Sequence, residues 1–179
     1  MEHTELGRNI LAIPQENSNK SVQWWGEYGA TGSPTTGDLG VSGNLFNFKT
    51  SNSLADASDY TSYPITAGNN SYDVWLKGHY TGTFNKVQNA KFHKSAGALG
   101  AGEAIKFVGH TTAFHDPVTG DSSYASADVP TSAPGSANVS FGGDLAGNIT
   151  GAGYSDFMVL QLRTTTAAEA GDPIPLHLL

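Results

Sequence analysis

Histidine is the side chain best suited to metal ligation or proton transfer near neutral pH, and the chain has six of them but no cysteine. His110 and His115 lie close in sequence with Asp116 beside the second, a spacing from which a weak imidazole and carboxylate metal site could be built. His79 and His93 fall on separate stretches, and neither an H-E-x-x-H pair nor a His/Cys ligand set occurs. Histidines at strand ends are usually solvated polar groups, so no metal site is expected. Asp116, Asp121 and Asp128 are separated by glycine and serine in the manner of a calcium loop, but the alternating oxygen ligands and terminal bidentate glutamate are missing, which makes a surface turn the better description. Serine is plentiful without a G-x-S-x-G elbow, and the absence of cysteine closes the thiol route. A carboxylate pair for glycoside hydrolysis is defined by distance in space rather than in sequence, and nothing favours one. Gly97 to Gly102 is glycine-rich, yet its order fits no phosphate-binding loop, and it reads as a flexible turn leading into a strand. The expectation is a non-enzymatic protein with no catalytic residues, cofactor or metal.

The remaining chemistry is aromatic. Flat rings on a β-sheet can stack on sugars or dock onto a protein partner, whereas aromatics at alternating strand positions normally pack a core. Packing is the better reading for Trp75. Trp24 and Trp25 are adjacent indoles near the N-terminus, where exposed apolar area would seek a partner, and with Tyr28 they are the candidate partner-contact residues.

The elements that must position these side chains are strands. No stretch of a dozen residues keeps apolar groups at helical spacing without Gly, Pro or β-branched interruption. Ser71 to Phe84 alternates, with Tyr72, Val74 and Leu76 on one parity and Gly78 as a candidate bulge. Phe157 to Leu162 is apolar on both parities, as a central strand covered on two faces would be. Weaker strands are expected at Val22 to Tyr28, Leu45 to Thr50, Lys86 to Lys94, Ile105 to Phe114, Ala137 to Leu145 and Ile174 to Leu179. Turn-forming stretches at Pro64 to Asn70, Asp116 to Asp121 and Pro130 to Gly135 belong at sheet ends.

This pattern predicts an all-β chain: a single β-sandwich of jelly-roll type over residues 45–179, preceded by an extended N-terminal arm over residues 1–44 with one short strand. An ordinary ragged terminus is the alternative to an arm. If it is an arm, removing residues 1–44 leaves the sandwich folded.

Composition narrows the function classes. Charged residues make up 14% of the chain, against roughly 25% in ordinary soluble domains, so the surface is polar through hydroxyls and amides. Such groups cost less to desolvate at an interface than ions do, which suits packing against copies of itself or other subunits. Nine Lys and Arg against sixteen Asp and Glu give a net charge of -7 without a basic cluster, which argues against direct nucleic-acid binding. No apolar run approaches the roughly 20 residues that span a bilayer, and no membrane partner or signal peptide is expected.

Several segments carry a resemblance: Phe46-Asn47-Phe48-Lys49, the stretch from Tyr63 to Tyr72, Gly82-Thr83-Phe84-Asn85-Lys86-Val87, the stretch from Val129 to Asn138, and Tyr154 to Leu162. Over about residues 45–165 the chain resembles small β-rich virion structural proteins of tailed bacteriophages. The resemblance implies a particle component, either a capsid decoration or cement protein or a part of the neck, tail or baseplate. Its partners would be copies of itself, in a homo-oligomer, and the major capsid or tail proteins. Its location would be the virion, assembled in the host cytoplasm. The alternative is a carbohydrate-binding, receptor-recognising module of a tail fibre or baseplate.

Overall fold

A computed structural model describes residues 20–39, 48–54, 62–82, 90–94, 99–140 and 152–168. These residues are all-β: six strands form one antiparallel sheet, β1 (Lys20–Ala30), β2 (Ser33–Asp38), β3 (Val74–Gly82), β4 (Glu103–Thr111), β5 (Ala127–Asp128) and β6 (Gly153–Thr164), in the order β2-β1-β3-β6-β4-β5. Among the described residues no helix is long and apolar enough to cross a membrane.

Alternation along the strands sorts side chains onto two faces. Trp24, Tyr28, Leu39, Val74, Leu76, Ile105, Phe107, Met158, Leu160 and Leu162 meet on the core face. Trp75, Val159, Val108 and Phe157 occupy the opposite, aromatic face, where Phe114, Tyr124 and Ala125 of the segment after β4 cover them. β6 is apolar on both parities because it lies between β3 and β4 with cover on either side, as its sequence predicts.

A second sheet is not present among the described residues. Its place over the core face is taken by irregular chain: Phe48, Leu54, Ile65, Phe92, Leu99, Val129 and Val139 pack there. The described parts of three expected strands, residues 48–50, 90–94 and 137–140, belong to this cover and form no ladder beyond a lone bridge at Lys94. Alternating apolar residues report that a segment is half-buried, and a segment lying across a sheet satisfies that as well as a strand does. The remainder of those three segments and all of Ile174 to Leu179 lie outside the described residues.

Irregular cover leaves main-chain groups without a ladder, and side-chain amides stand in for one. Asn52 accepts from the Gly29 N–H at 2.9 Å and donates to the Gly29 carbonyl at 3.1 Å. Asn138 does the same for Phe92, at 2.7 and 2.8 Å. Gln161, completely buried on β6, donates to the carbonyls of Ser71, Val118 and Gly120 and accepts from the Ser122 N–H and Arg163 Nε.

Residue 44 is not a boundary of the sheet. β1 pairs with β3 from Lys20↔Gly82 to Glu27↔Trp75, β2 pairs with β1, and Trp24 and Tyr28 sit in the core, so residues 20–39 are part of the domain rather than an arm outside it. The physical reason is area: two large rings on one strand face bury too much apolar surface to stand apart from the sheet. Residues 1–19 and 40–44 lie outside the described residues. Close approach explains a glycine on each of two neighbouring strands. A Cβ on Gly26 would lie 2.6 Å from the Tyr28 ring, and one on Gly78 would lie 2.9 Å from the Tyr80 ring, so each glycine makes room for the aromatic two residues on.

Candidate functional site

The irregularity expected at Gly78 falls in its pairing with β6. Lys77 faces Phe157 and His79 faces Tyr154, so β6 carries the extra residue. On the other side of β6, Val108 faces Val159 while Thr111 faces Phe157, and here β4 carries it. Bulges re-aim side chains, and these two bring His110 and Asp156 together, with Nε2 to Oδ2 at 2.9 Å. Ser155 lies beside them, but its hydroxyl donates to the Asp156 carbonyl at 2.7 Å and accepts from the Gly78 N–H at 2.8 Å. A histidine with a carboxylate partner is the orienting half of a proton-transfer system; the neighbouring hydroxyl is committed to the main chain.

Beside the bulges the aromatic face carries a ring cluster. His79 stacks on Tyr154 with centroids 4.2 Å apart and planes 12° apart, and Trp25 meets both nearly at right angles at 6.1 and 6.0 Å. Lys77 lies between the Glu27 carboxylate, 2.6 Å away, and the rings of Tyr154 and Phe157, at 5.5 and 5.4 Å from their centroids. Such a cation is held by a carboxylate and two ring quadrupoles together. Farther along, completely buried Trp75 packs against Phe114, Tyr124 and Phe157, and the exposed His115 ring stacks on Tyr124.

The acidic and histidine residues singled out in the sequence go to separate places. His110 pairs with Asp156, His115 lies on Tyr124, and His93 sits beside core residue Phe92 in the covering segment. Asp116 accepts from the hydroxyl and main-chain N–H of Thr31 at the β1–β2 turn; the hydroxyl first, then the amide, holds its carboxyl below the usual range. Asp121 pairs with Arg163 at 3.1 Å, and Asp128 with Lys106 at 2.7 Å. Among the described residues no group of three or more His, Asp or Glu could hold a metal ion. The turn expected at Gly97 to Gly102 is described from residue 99 on and closes on Glu103, whose carboxylate accepts the Gly100 N–H at 2.7 Å.

Trp24 and Trp25, adjacent in sequence, point to opposite faces, as strand geometry demands. Trp24 and Tyr28 are buried in the core, while Trp25 is half-buried in the ring cluster. A depression between Tyr28, Lys49, Asn52, Tyr72 and Asp73 is too tight to admit a water molecule.

One buried acid escaped the sequence reading. Asp73, 3% exposed, accepts from the Ser122 hydroxyl at 2.6 Å and the Val118 N–H at 2.8 Å. The Trp75 indole N–H also favours its charge, at a geometry too poor for a full hydrogen bond. Burial outweighs these donors and raises the carboxyl above the usual carboxylate range. The folded chain therefore takes up this proton at a higher pH than the unfolded chain does. The stabilisation linked to that proton is complete below the unfolded-state value and is lost as pH rises through the folded-state value. Asp73→Asn removes this dependence, so wild type minus variant stability is expected to be larger at pH 4 than at pH 7. Paired denaturant melts at the two pH values measure it, and the reverse order would show that the hydrogen bonds outweigh burial.

Comparison with protein-family models, with curated proteins and with solved structures gives no match.

Proposed function

We propose that the protein is a non-enzymatic structural subunit of a virion, a capsid decoration or cement protein of a tailed phage that assembles with capsid or tail subunits. The observation that carries an assembling role is the asymmetry of the sheet edges. On the β5 side the edge strand is only two residues long, and on either side of it the chain bonds to β4: the Val129 N–H to the Ile105 carbonyl at 3.0 Å and the Ser140 N–H to the Gly109 carbonyl at 3.3 Å. On the other side β2 is an edge strand with its first four residues exposed. Soluble proteins normally blunt such an edge, and an edge left open is a site for strand addition. The low charge of the chain lowers the cost of covering it, and the resemblance over residues 45–165 supplies the virion setting. A jelly-roll sandwich belongs to the same proposal; the apolar layer over the core face supports it.

The test is imaging of whole particles produced with and without this chain. Density for the sheet at symmetry-related positions on the head or tail, lost when the chain is omitted, is the expected result. Particles identical in both preparations would refute the role.

A sugar-binding module is the second reading, favoured by the half-buried Trp25 beside the His79 and Tyr154 stack. Glycan-array binding that disappears in Trp25→Ala would support it over docking.

A further inference from the structure

We infer that residues 112–126, between β4 and β5, form a strap over the aromatic face, and that Asp73 is its pH-sensitive catch, holding the middle of the strap when neutral and loosening it when ionised. The inference is independent of the assembling role proposed above. From the end of β4 the chain passes over β6 and β3 to the β1–β2 turn, where Asp116 accepts from Thr31, and then returns to β5. Beneath it lie the completely buried Trp75 and Val159, with Phe114, Tyr124 and Ala125 of the strap packed on them.

Three sets of bonds hold the strap. Thr31 holds its far end. On the return, Gln161 of β6 donates to the carbonyls of Val118 and Gly120 and accepts from the Ser122 N–H, and Arg163 donates to the carbonyls of Ser122 and Ala125. Asp73, immediately before β3, holds the middle: it accepts from the Val118 N–H and the Ser122 hydroxyl, and its own N–H donates to the Val118 carbonyl at 3.1 Å. Gln161 and Thr31 are uncharged and arginine stays protonated, so among the groups that grip the strap from the sheet only Asp73 titrates.

No cationic side chain among the described residues pairs with Asp73. The charges around it are engaged in other directions. Lys49, which lines the same depression, donates to the Ser53 hydroxyl and the Leu54 carbonyl, both at 3.1 Å. Arg163 takes Asp121 as its counterion, Lys77 takes Glu27, and the His115 ring lies on Tyr124. A carboxylate placed in this way loses its water without gaining a countercharge, and two donors replace that hydration only in part. Lifting the middle of the strap returns water to the group, so ionisation favours the lifted state. The raised position of the carboxyl agrees, with burial as its cause.

In the lifted state Asp73 titrates near the ordinary carboxylate value of about 3.9, and in the fastened state above it. The hold that depends on the proton is complete below the lower value and lost above the upper one. Asp116 acts in the opposite sense. The Thr31 bonds keep its carboxyl below the usual range, so the far end lets go only in stronger acid. The strap is therefore tightest in mild acid and loosens toward neutral pH, between its Thr31 end and Gly120, beside the Trp75 ring.

Amide hydrogen exchange on the full chain, corrected for the chemical pH dependence of exchange, tests this at Val118, whose N–H points at the catch. Its protection is expected to lie well below that of Val159 and Leu160 in β6, the mark of a local opening. It should fall between pH 4 and pH 7 by up to about ten-fold per pH unit within the titration interval. Asp73→Asn should give Val118 the same protection at both pH values. Equal protection at Val118, Val159 and Leu160 would show that the strap lifts only when the whole chain unfolds and would overturn the catch, as would a pH dependence retained in Asp73→Asn. If that variant does not fold, a carbon NMR titration of the Asp73 carboxyl in the wild-type chain decides. A midpoint above the ordinary carboxylate value and coincident with the Val118 transition supports the catch; a midpoint at or below that value, or one displaced from the Val118 transition, overturns it.

Discussion

Removal of residues 1–44 is expected to leave a chain with no cooperative unfolding transition. The deletion takes away β1 and β2, and with them Trp24, Tyr28 and Leu39 from the core. It also strips β3 of its pairing from Trp75 to Gly82 on one side. Each buried aromatic truncated to alanine costs about 3–5 kcal/mol, against a total stability of about 5–15 kcal/mol for a domain. Loss of two such rings and a strand pairing exceeds what the remainder can bear. Within the full chain, Trp24→Ala alone should lower stability by about 3–5 kcal/mol in denaturant melts. A truncated chain that still melts cooperatively, with sheet-like circular dichroism, would show that the N-terminal strands are appended to the domain.

Gln161→Leu should be the most damaging near-isosteric substitution in the sheet, at about 3–5 kcal/mol. The leucine fills a similar volume but leaves the carbonyls of Ser71, Val118 and Gly120, the Ser122 N–H and the Arg163 guanidinium short of a partner. Arg163 keeps its bonds to the Ser122 and Ala125 carbonyls, both at 2.8 Å, and Asp73 keeps the Val118 N–H and the Ser122 hydroxyl, so the segment is loosened rather than released. The loss should appear both as reduced stability and as faster protease cleavage between residues 117 and 125. A change below about 1 kcal/mol would mean that water satisfies these groups readily.

The strands legible in the sequence are those whose burial depends on alternation. β1, β3 and β4 present apolar residues at every second position, and β6 presents them on both parities. β2 was not legible: Ser33-Pro34-Thr35-Thr36-Gly37-Asp38 is polar throughout and is a strand only because the short turn at Thr31 lays it against β1. The segments around residues 48, 92 and 139 misled in the opposite direction, since they are half-buried without a ladder. Ring size marks Trp24, Trp25 and Tyr28 alike as partner-contact candidates and does not separate Trp24 and Tyr28 in the core from Trp25 on the other face, although the period of two already divides adjacent residues. Nor could spacing find His110 with Asp156. Their contact is made by two bulges, and a bulge is set by how neighbouring strands fit rather than by any local pattern.

The amides of Asn52, Asn138 and Gln161 have a consequence for how such a chain can diverge. In most β-domains a connecting segment can lengthen or shorten with little regard for the scaffold beneath it. Here three carboxamides tie described connections to chain distant in sequence, Asn52 to β1, Asn138 to the segment at Phe92, and Gln161 to the segments at Ser71 and at 118–122, so insertions there are free only between those anchor points. Shape at the periphery is inherited together with a few carboxamides, and exchanging a connection between related chains requires moving its anchor as well.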